Sequence, residues 1–406
     1  MNTENAVKTL LEAMKGFHGR FKQTYGQVAM RIDDYTYLAS GNQLLSEIVE
    51  NDLVVYDISD NDLSDIFNRR DDINAFIFGC SQDTVAASEE LDTLQVALED
   101  MAQLAGPEVQ VAKDKNPRTI MAALKRCDVC YVKGFGAVSI GATVDDAVAA
   151  FQILHKSTEA YLHGKLLGGQ KPLDSNTATW LKEMYADNYV ATNEAAHVAY
   201  VGFDEDRFKL RSDILDYGRK MIHDDLAYGV AGNLSVRAGA DEMLISPSSM
   251  DYFLMAVEDT VRVNINTLDY TQYGEQRVPS TDFETHAAMY RTLPSCNAII
   301  HTHSNAISVF AACEAGFAMT DPQLKQLIGD IKIVPYIPED PEQQLDAMLA
   351  TLQDTHAAIL PHHGAIFYGP SIEVVYEIAK AVEMMARNIL GYNNKTEDSG
   401  QAEQEQ

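Results

Sequence analysis

The sequence predicts an α/β protein made of two tandem copies of one unit, each roughly 200 residues long. Three observations lead there. Short runs rich in Val, Ile, Phe and Tyr alternate with stretches of helical periodicity. The second half repeats the first in order. At 406 residues, the chain is also too long for one ordinary core.

The repeat is read from three matched segments. Val28-Ala-Met-Arg-Ile-Asp-Asp-Tyr-Thr-Tyr-Leu-Ala-Ser40 aligns with Leu234-Ser-Val-Arg-Ala-Gly-Ala-Asp-Glu-Met-Leu-Ile-Ser246. Phe67 to Phe78 aligns with Tyr290 to His301, and Gly134 to Gly141 with His362 to Gly369. Each match falls at a strand or turn, and a helix of similar length follows the last one in both copies.

In chain order, residues 1–24 read as a helix, with Leu10, Leu11, Met14, Phe17 and Phe21 at helical spacing. Strand signals follow at Gln27–Ile32 and Asp52–Asp57, punctuated by turn residues at Asp33-Asp34 and Gly41-Asn42. A helix in the 60s, a strand at Ala75–Phe78, a helix around 87–105 and a strand at Val129–Val132 come next. A long helix is expected near 143–165, then a helical connector over 168–200 that holds Trp180. The expected division is 1–200 for the first domain, 201–393 for the second, and a disordered acidic tail over 394–406, which lacks large apolar residues.

Composition narrows the class of function. The chain is 46% apolar and 22% charged, as soluble globular proteins are. Its 60 acidic residues outnumber 31 basic ones, for a formal charge of −29, which disfavours nucleic acid and anionic membrane surfaces as partners. No apolar run reaches the length of a membrane span, and the first residues lack the apolar centre of a signal peptide. Five cysteines point to reduced thiols in a cytoplasmic protein. Cys127 and Cys130 form a C-x-x-C pair, but they lie in a strand-like run and read as small buried thiols.

The chemistry concentrates between Ser280 and His303, with Pro361-His-His-Gly364 sixty residues on. Ile299-Ile-His-Thr-His303 reads as an apolar strand ending in H-x-H. Period-two alternation puts His301 and His303 on one face, where two imidazoles can reach one ion. A third imidazole from His-His-Gly and a carboxylate from Asp282 or Glu284 would complete the ligand set of a catalytic rather than a closed structural zinc. The repeat supplies an internal control. Phe78 stands where His301 stands, Cys80 where His303 stands, and Phe135 where His363 stands. The first copy is therefore expected to be metal-free and catalytically empty.

Ala231-Gly-Asn-Leu-Ser-Val-Arg237, Leu244-Ile-Ser-Pro-Ser248, Pro279-Ser-Thr-Asp282, His286, His301-Thr-His303 and His362-His-Gly364 together resemble the class II aldolase/adducin family, in the right order over residues 205–392. Ile333-Val-Pro-Tyr336 brings the resemblance nearest to the fuculose-phosphate aldolase branch. The resemblance implies two tandem aldolase-like domains, each a central, mainly antiparallel sheet flanked by helices. It also implies cyclic tetramers with sites at subunit interfaces. It makes His301, His303 and His363 the ligands of Zn2+ or another divalent ion, and His362 a neighbour. The ion would act as a Lewis acid on a ketose carbonyl or hydroxyl and stabilise an enediolate. Asp282 falls at the family's acid–base position. The aldolases have Glu there and the ribulose-phosphate 4-epimerases Asp. Tyr336 matches a tyrosine that binds or protonates the aldehyde part. Gly232, Asn233, Ser248, Ser280 and Thr281 match phosphate-binding positions, whereas Val230 and Ser249 depart from the family pattern.

These features imply a metal-dependent lyase that cleaves a small phosphorylated sugar. A sugar-phosphate 4-epimerase or dehydratase with the same site is the alternative suggested by Asp282. A non-catalytic, adducin-like assembly protein is a third. The duplication further suggests a homo-oligomer in which two double-domain chains mimic a four-domain ring.

Overall fold

The computed structural model describes residues 1–392 except 18, 59–63, 68–69, 71, 194–206, 249 and 272–276. The expected tail over 394–406 lies outside the described residues. The chain divides into two compact units: Met1–Leu162 with Lys171–Tyr189, and His163–Gln170 with Val190–Gln406.

The first unit contributes β1 (Tyr25–Arg31), β2 (Thr36–Ser40), β3 (Gln43–Leu44), β4 (Leu53–Asp57), β5 (Ala75–Cys80), β6 (Thr93–Gln95), β7 (Glu108–Ala112), β8 (Val129–Val132) and β9 (Gly136–Gly141). Their order across the sheet is β4-β2-β1-β5-β9-β8-β7-β6, with β3 also on β1. The second unit contributes β10 (Asn233–Arg237), β11 (Glu242–Ile245), β12 (Val261–Asn264), β13 (Ala298–Thr302), β14 (Lys332–Ile333), β15 (Ala357–Leu360) and β16 (Gly364–Gly369). Their order is β12-β11-β10-β13-β16-β15-β14. Seven strands thus recur in one spatial order. In both units the pairing is antiparallel except at one equivalent place, β7 with β8 and β14 with β15.

The duplication holds at the level of register. Met30 pairs with Leu38 as Val236 pairs with Leu244. Gln27 pairs with Phe78 as Asn233 pairs with His301. Phe78 pairs with Val138 as His301 pairs with Ile366. Ser40 and Ser246 accept the equivalent backbone N–H groups of Val28 (3.1 Å) and Leu234 (3.3 Å). Backbone pairing and small buried residues maintain this frame, so the sheet does not depend on what stands at the strand ends.

Two of the expected elements end elsewhere. The first helix stops at Met14 and continues as two short turns, because Gly16 and Gly19 interrupt it and Gly19 adopts φ 63°. The helix expected around 87–105 is two helices, Gln82–Glu90 and Glu99–Ala105, with β6 between them. The pairing of β6 with β7 overrides the helical reading there. Cys127 and Cys130 are buried free thiols; burial raises the pKa of both, and Cys127 Sγ donates to the Val129 carbonyl at 3.1 Å.

In the second unit, alternation along the strands divides the core between two faces. Leu234, Val236, Ala298, Ile300, Ala365 and Phe367 pack with the helices Phe208–His223, Asn305–Ala312 and Ile372–Ile389. Ile299, Ile366 and Tyr368 face the helices Phe283–Thr292 and Pro341–Leu352. His301 follows Ile299 by two residues and so lies on the second face, under the start of helix Phe283–Thr292. Among the described residues, no helix is long and apolar enough to cross a membrane.

Candidate metal centre

His301 is the fourth residue of β13, and His303 follows the strand's last residue. His363 immediately precedes β16, the neighbouring strand. Their side chains converge: His301 Nε2 is 2.9 Å from His303 Nε2 and 3.0 Å from His363 Nε2. Two nitrogens bound to one tetrahedral zinc lie about 3.3 Å apart, so the donor set fits a divalent ion. His301 Nδ1 faces the Ala365 carbonyl at 3.0 Å. A proton on Nδ1 satisfies that carbonyl and leaves the Nε2 lone pair directed at its two partners.

The turn between β15 and β16 separates the two adjacent histidines. His362 takes φ 61°, a left-handed conformation that is strained for a side-chain-bearing residue. Its N–H donates to Ala311 O at 3.1 Å, and its Nε2 lies 3.3 Å from Glu314 Oε1. His363 therefore joins the triad and His362 points away. Tyr336 lies with its ring 4.5 Å from that of His362, edge to face, and so flanks the triad through this neighbour.

Asp282 occupies the position just before the helix Phe283–Thr292, half-buried, without a side-chain capping bond, with Oδ2 4.0 Å from His301 Nε2. Asn233 Nδ2 donates to the same oxygen at 2.6 Å. Burial pushes the Asp282 carboxyl up, but the facing His301, His363 and His286 and the Asn233 amide outweigh it, and its pKa falls below the ordinary 3.8. Glu284, two residues on, is exposed on that helix. Beneath Asp282, His286 is buried with Nδ1 2.8 Å from Ser235 Oγ, which is itself 2.8 Å from the Tyr290 hydroxyl. Burial lowers the His286 pKa to about 4, so this ring is neutral.

The other candidate residues gather at the same end of the sheet. Gly232 precedes β10 with φ 74°, and a Cβ there would lie 2.8 Å from the His301 carbonyl. Ser248 N donates to Val278 O and Ser280 N to Ser246 O, both at 3.0 Å, which ties the two loops together. Ser280 is buried and Thr281 exposed. Ser249 lies outside the described residues.

Two contributors were not anticipated. The Tyr228 hydroxyl donates to the His303 carbonyl at 2.8 Å. Buried Glu383 accepts the N–H groups of Ala306 (3.2 Å) and Ile307 (3.1 Å), at the start of the helix that follows His303. A charged residue within an otherwise apolar helical stripe was the readable sign of Glu383. Tyr228 carried no local sign.

The first unit holds different chemistry at the equivalent place. Lys115 Nζ lies over the rings of Phe78 (5.1 Å) and Phe135 (4.2 Å), the counterparts of His301 and His363.

The sequence model of the class II aldolase and adducin N-terminal domain matches this chain twice, over residues 9–162 and 212–390. The chain belongs to the class II aldolase and adducin family. Among its relatives, 5-deoxy-D-ribulose 1-phosphate aldolase of Bacillus thuringiensis is 30% identical over 184 residues, which is 44% of this chain and 83% of that protein. L-fuculose phosphate aldolase of Haemophilus influenzae is 30% identical over 185 residues, 44% of this chain and 82% of the relative. A solved L-fuculose 1-phosphate aldolase aligns with 50% of this chain and 91% of its own, with 24% identity and a TM-score of 0.41. The first copy is a degenerate member of the same family.

Proposed function

We propose that this chain is a divalent-metal-dependent aldolase that cleaves a small phosphorylated sugar, with its active site in the second copy. One observation carries the proposal: three imidazole Nε2 atoms converge beside a carboxylate at the end of the central sheet. The family and the sugar-phosphate activities of the relatives named above support the substrate class. His301, His303 and His363 would hold the ion, which supplies Lewis-acid polarisation of a carbonyl oxygen when bound.

The chain's own residues supply the rest. Cleavage removes the proton of the hydroxyl β to the carbonyl as the carbon–carbon bond opens. Asn233 holds Asp282 Oδ2, which leaves Oδ1 to take that proton. The pKa of Asp282 lies below 3.8, so the carboxylate is ready as a base at neutral pH. Gly232, Asn233, Ser248, Ser280 and Thr281 offer N–H, amide and hydroxyl donors for the phosphate. In a chain of charge −29, such local donors must do what a general positive field does elsewhere. Tyr336 would bind or protonate the aldehyde part.

A second reading, a 4-epimerase or dehydratase, is favoured by the short Asp282 side chain at the acid–base position. The test is a screen of phosphorylated ketoses with metal-loaded protein, scored separately for cleavage and for isomerisation. Cleavage that disappears together with the ion in His301→Ala supports the aldolase. Isomerisation without cleavage selects the second reading. A protein that holds no stoichiometric divalent ion at this triad, and is activated by none, defeats both. Two chains would together provide four domains, and a monomer in sedimentation would refute that assembly.

A further inference from the structure

The degenerate first unit carries a second set of ligand-type residues, away from the place where its histidines were lost. His155 and Glu159 are four residues apart on the helix Val144–Gly164 and share one of its faces. Asp83 comes from the first turn of the helix Gln82–Glu90. One donor atom from each lies within 4.8 Å of the other two. His155 and Glu159 are buried and Asp83 is half-buried. His155 Nδ1 is 3.8 Å from Glu159 Oε1, too far for a hydrogen bond. Two ligands on one ion, each about 2.1 Å from it, lie roughly 3 to 4.2 Å apart, and 3.8 Å falls in that range.

The second unit shows what the same positions hold when they bond to one another and to the backbone. The shared register makes Glu383 the counterpart of His155, Arg387 of Glu159 and Ala306 of Asp83. There Glu383 accepts the N–H of Ala306 and pairs with Arg387 Nε at 2.9 Å. That is a closed arrangement between protein groups. The first unit has one imidazole and two carboxylates in its place, which are the ligand types of a divalent-metal site. The rings of Phe21 (5.3 Å, edge to face) and Phe151 (6.5 Å) pack on the His155 imidazole and fix its orientation.

We propose that Asp83, His155 and Glu159 form a divalent-metal site in the first unit, separate from the histidine triad, that clips the helix Gln82–Glu90 to the helix Val144–Gly164. One nitrogen and two carboxylate oxygens suit Zn2+ or Mn2+. The site is structural, because its ligands are drawn from packed helices and mostly buried. It does not depend on the proposed activity.

The test uses the full chain. The His301→Ala, His303→Ala double variant removes the triad, and Glu159→Gln is then added to it. Each protein is loaded with Zn2+ or Mn2+ and freed of excess ion, and metal per chain is measured by mass spectrometry. The double variant is expected to keep one ion per chain, and Glu159→Gln to lose it with the circular dichroism unchanged. Zn2+ should also raise the first unfolding midpoint of the double variant, and no longer do so once Glu159 is changed. Asp83→Asn, at a half-exposed position, provides a second variant should Glu159→Gln perturb folding. A double variant without an ion overturns the proposal. So does an ion that survives both Glu159→Gln and Asp83→Asn. A chain that keeps this ion and has no aldolase activity would count only against the proposed function.

Discussion

Replacing Gly364 with Ala should destabilise the second unit and loosen its proposed metal centre, although Gly→Ala at a compatible site stabilises by about 0.4–1 kcal/mol. A Cβ at Gly364 would lie 2.1 Å from the Thr302 carbonyl oxygen across the β13–β16 ladder. An ordinary C···O contact is about 3.3 Å, so the overlap is roughly 1.2 Å. The obstructing atom is backbone in the middle of a sheet, so the strands must part. Thr302 lies between two of the proposed ligands and Gly364 follows the third, so an opening of about 1 Å passes directly to imidazoles now 2.9 and 3.0 Å apart. Overpacking of this kind costs about 1–3 kcal/mol, and a misplacement of 1 Å can reduce turnover about 100-fold. Thermal unfolding and chelator competition for Zn2+ would measure the two effects. Gly136→Ala is the control in the first unit: its Cβ would meet the equivalent Gly79 carbonyl at 2.4 Å, and its φ of 118° adds backbone strain. It should destabilise that unit and leave triad metal affinity unchanged. Wild-type unfolding midpoint and Zn2+ affinity in Gly364→Ala would refute the argument.

His286 makes the second unit acid-sensitive. Its pKa drops from 6.5 to about 4 on folding, so the unfolded chain takes up a proton that the folded one refuses. Stability should decline from about pH 6.5 down to about pH 4, by roughly 3 kcal/mol in all. His286→Phe should flatten urea midpoints over that range, and an unchanged slope would contradict the assignment. Glu383→Ala removes one of two carboxylates near Arg387, with Asp225 remaining at 3.6 Å, and leaves two helix N–H groups without that acceptor, and should cost about 2 kcal/mol by chemical unfolding. A loss below about 1 kcal/mol would remove Glu383 from the account. Asn233→Ala frees Asp282 Oδ2 and should lower kcat about tenfold while metal content stays at the wild-type level. Loss of the ion would instead make Asn233 part of its binding.

Much of this was legible because it depends on short-range periodicity. Strand alternation located His301 and His303 on one face, and the repeat matched Phe78, Cys80 and Phe135 to the three histidines, an alignment the two sheets reproduce in register. The helix expected over 87–105 failed for the opposite reason. Thr93–Gln95 is a strand only because β7 lies beside it, a partner thirteen or more residues away in sequence. Spacing admitted either Asp282 or Glu284 and the resemblance favoured Asp282; the start of the helix Phe283–Thr292 leaves Glu284 exposed and holds Asp282 against Asn233.

The sequence by itself determined the tandem architecture and the chemical types at the centre. Both follow from short patterns, repeated in the same order in the two halves. The order of the strands across each sheet came from the tertiary structure. Spacing left His362 and His363 open and the resemblance favoured His363; the tertiary structure supplies the physical reason, one left-handed residue between two strands. It alone brought Tyr228 and Glu383 to the segment around His303, and joined Asp83 to His155 and Glu159. Those meetings are fixed by how distant helices pack on the sheet, and no local pattern encodes a packing distance.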